Sequence, residues 1–246
     1  MPEVPAGLLR LRAGVVAGRT RLLEARFEPP LQVLRARHLD QRLPDLAFVS
    51  LLSPGGGILQ GDRLTMSVDV EAGARLHVDT TSATRLYRMP AAAARLDTRV
   101  RLGDGAYLEY VPEPYLPYRG SRFSQSARYE VAENAVLVLG EVVGPGRAAR
   151  GEVLAFDSFL STVEAVRLGE SESLFRDALR LEPGAELAAP GALGCHRACG
   201  SLYVVASGFS PDVLAEAVSP FERGTAYAGC SELPAAAGAW LRVLAA

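Results

Sequence analysis

The chain has 246 residues, 49% of them apolar and 22% charged, with a formal net charge of −2. Those values describe a globular chain long enough for a large buried core, and 26 basic against 28 acidic side chains leave no polybasic field for nucleic acid. All 26 cations are arginine; without lysine the chain forms no Schiff base and carries no P-loop lysine, which excludes pyridoxal-phosphate chemistry and conventional P-loop GTPases.

From Met1 to Arg21 no basic segment leads into an apolar core and a small-residue cleavage site, so no secretory signal is expected. The longest uncharged run, Leu46 to Gly61, is interrupted by Pro54 and three glycines and is too short for a membrane span. Three cysteines are an odd number, so reduced thiols in the cytoplasm are expected and a disulfide framework is not.

Further along, Ser53-Pro54-Gly55-Gly56-Gly57-Ile58-Leu59-Gln60-Gly61-Asp62-Arg63 reads as a tight chain reversal, with Gly61 allowing close backbone packing. A glycine cluster can cradle an anion, but a strand follows this one where a phosphate site needs a helix. Leu64, Met66, Val68 and Val70 then alternate with polar residues, as do Ala74, Leu76, Val78 and Thr80 beyond the turn Glu71-Ala72-Gly73. Period two on both sides of a turn predicts consecutive strands with one buried face.

The unit recurs. Thr98 to Leu102 runs into Gly103-Asp104-Gly105-Ala106 and Tyr107 to Val111. Arg128 to Val131 runs into Ala132-Glu133-Asn134-Ala135 and Val136 to Val143. Leu179 to Leu181 runs into Glu182-Pro183-Gly184-Ala185 and Glu186 to Ala188. Each turn puts Gly or Asn where positive φ is expected, followed by an alanine. The turns lie 32, 29 and 50 residues apart, too irregular for a strict solenoid but suited to strands stacked in layers. Glu170 to Arg180 reads as a short helix or an irregular strand pair. Ser210-Pro211-Asp212 opens a short helix that stops at Ser219-Pro220. The expectation is one domain over 1–246, mostly β: a layered, β-helix-like or sandwich stack of strands with one or two short helices.

Catalytic signatures are thin. The histidines are His38, His77 and His196, and there is no Gly-x-Ser-x-Gly elbow, HExxH, EF-hand or paired CxxC. Cys195-His196-Arg197-Ala198-Cys199, with Cys230 beyond, groups ligands suited to zinc or nickel. Free cysteines are more often small buried hydrophobes, and the structural role is the one favoured here. His77 and Asp79 share one strand face as a candidate ligand pair, against the commoner reading of a solvated face.

Pro54-Gly55-Gly56-Gly57-Ile58-Leu59-Gln60-Gly61-Asp62-Arg63-Leu64, followed by Thr80-Thr81-Ser82-Ala83-Thr84-Arg85-Leu86-Tyr87-Arg88, resembles the urease accessory protein family UreD, also called UreH. The likeness continues through Leu108-Glu109-Tyr110-Val111-Pro112-Glu113-Pro114, Gly120-Ser121-Arg122-Phe123, Leu139-Gly140-Glu141-Val142-Val143-Gly144-Pro145-Gly146-Arg147 and Arg150-Gly151-Glu152. The resemblance implies a layered β-helix-like fold and a non-enzymatic scaffold for urease maturation. Such a scaffold binds UreF and, through it, the GTPase UreG, docks on urease apoprotein, and holds no tight cofactor. A dimer of heterotrimers is among the assemblies it allows, with no nucleic acid and no membrane involved. Nickel passes through transiently, which calls for exchangeable oxygen ligands and not a closed cage. The passage candidates within family-like stretches are Asp62, Glu113, Glu141 and Glu152, with Thr80, Thr81 and Ser82 as further oxygen donors. Cys195, His196 and Cys199 lie outside those stretches. Two alternatives stand beside this reading: a β-rich hydrolase using the carboxylates of Glu113 and Glu141, and a β-rich binding module unrelated to urease.

Overall fold

The computed structural model describes residues 6–170, 173–184, 187–189, 192–221 and 226–246. In chain order these form β1 (Ala6–Val16), β2 (Arg19–Glu28), β3 (Gln32–Val33), β4 (Ala47–Leu52), β5 (Gly57–Ile58) and β6 (Arg63–Val70). There follow β7 (Arg75–Thr80), β8 (Thr84–Leu86), β9 (Ala94–Leu102), β10 (Tyr107–Tyr110), β11 (Tyr115–Pro117), β12 (Arg122–Val131) and β13 (Val136–Val143). The chain then makes β14 (Ser158–Arg167), β15 (Ser173–Leu181), β16 (Ala198–Val205), α1 (Pro211–Val218), β17 (Ala226–Glu232) and β18 (Gly238–Ala245).

The repeated strand–turn–alanine unit is the generator of the fold. Each pass runs through a first sheet, turns, and returns through a second, so that β6 leads to β7, β9 to β10 and β12 to β13. The first sheet has the order β15-β14-β12-β9-β6-β1-β2 and the second β17-β18-β16-β13-β10-β7-β4-β3. Strands β1, β6, β9, β12 and β14 are mutually parallel, as are β4, β7, β10 and β13. The short strands β5, β8 and β11 make a third parallel stack. This is the solenoid-like stack the sequence predicts.

The turn spacing sets the register. Gly73 and Gly105 are stacked turns: Gly73 N–H donates to the Asp104 carbonyl at 2.9 Å, and the Asn134 side chain donates to the Asp104 carboxylate at 3.0 Å. The trailing alanines Ala74, Ala106 and Ala135 are buried beneath these turns, where only a methyl group fits between layers. Positive φ occurs at Gly73 (70°) and Gly105 (62°). It does not occur at Asn134 or Gly184, so that expectation is corrected: Asn134 contributes its side-chain hydrogen bond instead.

Two more readings change, at the Leu179 unit and the glycine cluster, and one left open is resolved. The Leu179 unit is not another coil, because β15 returns antiparallel to β14 and closes the stack; its turn residues Ala185 and Glu186 lie outside the described residues. Most of Glu170 to Arg180 is accordingly strand, not helix. In the glycine cluster the close approach falls at Gly57, where an added Cβ would sit 2.1 Å from the Arg85 carbonyl oxygen. Gly61 serves its turn through φ of 79°, and an added Cβ there would meet nothing nearer than Ala92 Cβ at 4.0 Å.

The core lies between the two sheets as columns of in-register side chains. Leu76, Leu108 and Leu137 form one, and Val68, Val100 and Tyr129 another, all 4% exposed or less. Helix α1 starts where predicted. The Ser210 hydroxyl accepts from Asp212 N–H at 3.2 Å with Pro211 in the first turn, and Leu214 packs over Val204, Ala239 and Leu241 on the outside of the second sheet.

A buried carboxylate in the solenoid interior

Alternation along β12, β13 and β14 sends Phe123, Tyr129, Leu137, Leu139, Phe159 and Val163 inward. Gln125, Glu141 and Ser161 occupy the same inward phase. Burying a polar side chain there is costly unless its hydrogen bonds are satisfied, and these three satisfy one another. Ser161 Oγ–H donates to Glu141 Oε2 at 2.8 Å, and the Gln125 amide donates to the same oxygen and to Ser161 Oγ. The Tyr115 hydroxyl donates to Gln125 Oε1 at 2.8 Å. Glu141 is 8% exposed. Burial pushes its carboxyl up to about 7, opposed by the Ser161 hydrogen bond and by the Arg242 cation, while the nearby Asp177 charge adds to the rise.

The polar strip continues past Glu141. Ser201 and Arg242 follow it strand by strand across β16 and β18, and Asp177 accepts from both Tyr203 Oη and Arg242 Nη2. In the other direction Glu141 lines a small cavity of 20 Å3 together with Thr98, Tyr110, Pro112, Tyr115 and Gln125, room for about one water. A larger cavity of 80 Å3 shares Leu96, Tyr110, Pro112 and Tyr115 as wall, and its outer end carries Thr80, Thr81 and Ser82, of which Thr81 and Ser82 are exposed. The two cavities thus share one wall, with Thr80, Thr81 and Ser82 on the outer one, whose lining is otherwise mostly apolar, and Glu141 on the inner one.

The structure brings Thr80, Thr81, Ser82 and Glu141 to these two cavities and leaves the other candidates apart. Asp62 is 2% exposed and closes its own turn, Oδ2 accepting from Leu59 N–H at 2.8 Å; burial raises its pKa against that bond. Glu152 is held by Arg147 through two hydrogen bonds of 2.8 and 2.5 Å, which lowers its pKa. Glu113 is exposed, with its N–H on Thr80 Oγ1 at 3.0 Å. It does not share a cavity wall with Glu141, so the two carboxylates of the hydrolase alternative do not face one cleft. Cys195 is exposed, Cys199 is buried on β16, and His196 Nδ1 donates to the Leu193 carbonyl at 3.0 Å. His77 packs on Phe48, with Nδ1 2.6 Å from Glu109 Oε2 and Nε2 3.8 Å from Asp79 Oδ2. Among the described residues, no group of three or more His, Cys, Asp or Glu side chains converges to hold a metal ion.

The sequence model of the UreD urease accessory protein family matches residues 6–246. The chain belongs to the UreD family. Its relatives include the urease accessory protein UreD 2 of Streptomyces griseus, 34% identical over 249 residues that cover 99% of this chain and 85% of that one. The urease accessory protein UreD of Haloarcula marismortui is 39% identical over 204 residues, 82% of this chain and 68% of that one. The UreD of Cenarchaeum symbiosum is 36% identical over 220 residues, 88% and 77% of the two chains. Membership places the protein in urease maturation.

Within this UreD chain, reading the sequence missed Gln125, Ser161, Tyr115 and the Asp177–Tyr203–Arg242 group. A signal for the first two was present. Each is a polar residue in the apolar phase of its strand, as Glu141 is.

Proposed function

We propose that this UreD-family chain is the scaffold that binds UreF and, through it, the GTPase UreG, docks on urease apoprotein, and passes nickel inward along its own interior. The observation that carries the reading is the buried Glu141 carboxylate, joined by its hydrogen-bonded neighbours to a cavity that opens beside Thr81 and Ser82. A divalent cation in transit must exchange part of its hydration for ligands that release it again. Hydroxyls, an amide and a single carboxylate meet that requirement better than thiolates do. Glu141 with Thr80, Thr81 and Ser82 is the set assigned to the passage; Asp62 closes its own turn outside both cavities, Glu152 has both oxygens on Arg147, and Glu113 stands at the surface beside Thr80. The role is non-catalytic. A chain without lysine leaves nucleotide hydrolysis to its partner, and the protein acts in the cytoplasm. No helix among the described residues is long and apolar enough to cross a membrane.

Co-expressed with UreF and UreG from the same source, the chain is expected to co-elute with both, in keeping with specific interfaces of about 1,200–2,000 Å2. Separate elution at micromolar concentration, or fully nickel-loaded urease in a strain lacking the gene, overturns the scaffold. Replacing Cys195 and Cys199 together by alanine is expected to leave nickel per urease active site unchanged. The variant also loses about 1 kcal/mol of stability at most from the small buried thiol. A severe loading defect in the folded variant would make the thiols part of the route.

A further inference from the structure

The outer face of the first sheet carries two neighbouring rows of side chains that differ in their charge logic. One row, set by the register, runs Arg12, Asp69, Arg101, Glu130, with sign alternating from strand to strand. Opposite charges on adjacent strands stabilise a sheet, and like charges side by side oppose it. The adjacent row runs Arg10, Ser67, Arg99, Arg128, Glu164, Arg176. Here Arg99 and Arg128 are direct cross-strand neighbours of the same sign. Glu164 holds Arg128 at 2.5 Å, while Arg10, Arg99 and Arg176 make no ion pair among the described residues.

Beside this row lies a third, Thr65, Asp97, Ser126, Thr162, of short and mostly hydroxylated side chains. Long arginines beside short residues make a trough of 800 Å3 that runs across the strands. Strand spacing of about 4.8 Å puts Arg10 and Arg176 about 24 Å apart. The chain as a whole has a net charge of −2, so the cationic row is a local feature and not the overflow of a basic protein.

We propose that this trough is a docking surface for an acidic segment of a partner protein, lying along the solenoid axis with its carboxylates on Arg10, Arg99 and Arg176. Guanidinium groups accept carboxylates through paired hydrogen bonds, and the Thr65, Ser126 and Thr162 hydroxyls offer further donors along the same line. A polynucleotide fits less well. Asp97, held by Arg95, and Glu164, held by Arg128, stand inside the trough and Asp69 and Glu130 flank it, so a uniform line of phosphates crosses a surface of mixed sign. A peptide can place a hydroxyl or a basic side chain at those points.

The test uses the full chain and two labelled probes, deca-uridylate and a ten-residue peptide of alternating Glu and Ser, followed by fluorescence anisotropy at low salt. The Glu–Ser peptide is expected to bind more tightly than deca-uridylate and to weaken as salt rises. The double variant R10Q/R99Q is expected to weaken it about tenfold, as two exposed charge contacts imply, while R101Q in the alternating row changes it by less than about twofold. The melting temperature of R10Q/R99Q is expected to equal or exceed that of the parent, because adjacent like charges are relieved. Unchanged affinity in R10Q/R99Q, an equal loss in R101Q, tighter binding of deca-uridylate, or a fall in melting temperature would each overturn the proposal.

Discussion

Glu141→Gln is expected to make the protein more stable at pH 8 and less able to load urease. The stability half follows from linkage. The folded carboxyl titrates at about 7 against 4.5 for an ordinary glutamate. Below pH 4.5 both folded and unfolded forms are protonated, and the parent and the variant melt alike. As pH rises towards 7 the unfolded form ionises while the folded form resists, so the parent loses stability across that window. Above it the loss is complete, at about 3 kcal/mol for a shift of this size. Glutamine has no charge to bury and keeps an acceptor for Ser161 and Gln125, so the variant lacks this contribution to the pH dependence over the same range. Thermal melts at pH 4.5, 6 and 8 read the difference directly. A parent with no extra pH dependence would mean that Glu141 is solvated when folded. On the functional side, the variant should assemble normally with UreF, UreG and urease, yet leave nickel per active site reduced several-fold. Normal nickel with normal assembly would remove Glu141 from the passage. A more stable but less competent variant is the expected mark of a group retained for function at a cost in stability.

The fold was legible in the sequence wherever one coil repeats the last. The spacing from Gly73 to Gly105 is also the register offset between β7 and β10, so it places His77 beside Glu109 without further information. The same alternation carries a signal for the inward phase of Glu141, Gln125 and Ser161, but only Glu141 was singled out from the sequence. What periodicity cannot supply is the point at which repetition stops. β15 has strand character whether it continues the stack or returns against β14, and only the packing of Phe175 on Tyr203, stacked at 4.8 Å, and of Leu181 beside Phe159 decides for return. Composition likewise signals Asp62 and Glu152 as strongly as Glu141. Their difference is local geometry: one carboxylate closes its own turn and one is occupied by an arginine five residues away. For the glycine cluster the residue type gives conformational freedom but not the reason for it: Gly55 has an ordinary φ and open space, Gly56 a positive φ, and Gly57 a close approach to the Arg85 backbone.

That difference makes a graded test of the mouth of the outer cavity. Gly55→Ala is expected to be neutral within about 0.5 kcal/mol, since φ is ordinary there and nothing lies within 4 Å of the new methyl group. Gly56→Ala should cost about 1 kcal/mol, because its φ of 74° lies in the left-handed region. Gly57→Ala should cost about 3 kcal/mol, at the upper end of overpacking. Its methyl group meets the Arg85 carbonyl oxygen at 2.1 Å and the Arg85 carbonyl carbon at 2.9 Å, and backbone cannot step aside as a flexible side chain can. The alanine must push β5 away from β8, and both flank the cavity that Gly56, Gly57 and Thr84 help to line. Urea unfolding of the three variants measures the gradient, and nickel per urease active site should fall in the same order. Equal destabilisation by Gly55→Ala and Gly57→Ala would mean that β5 does not stack on β8. A loading defect confined to Gly57→Ala, measured where all three variants remain folded, would locate the inlet at this edge of the stack.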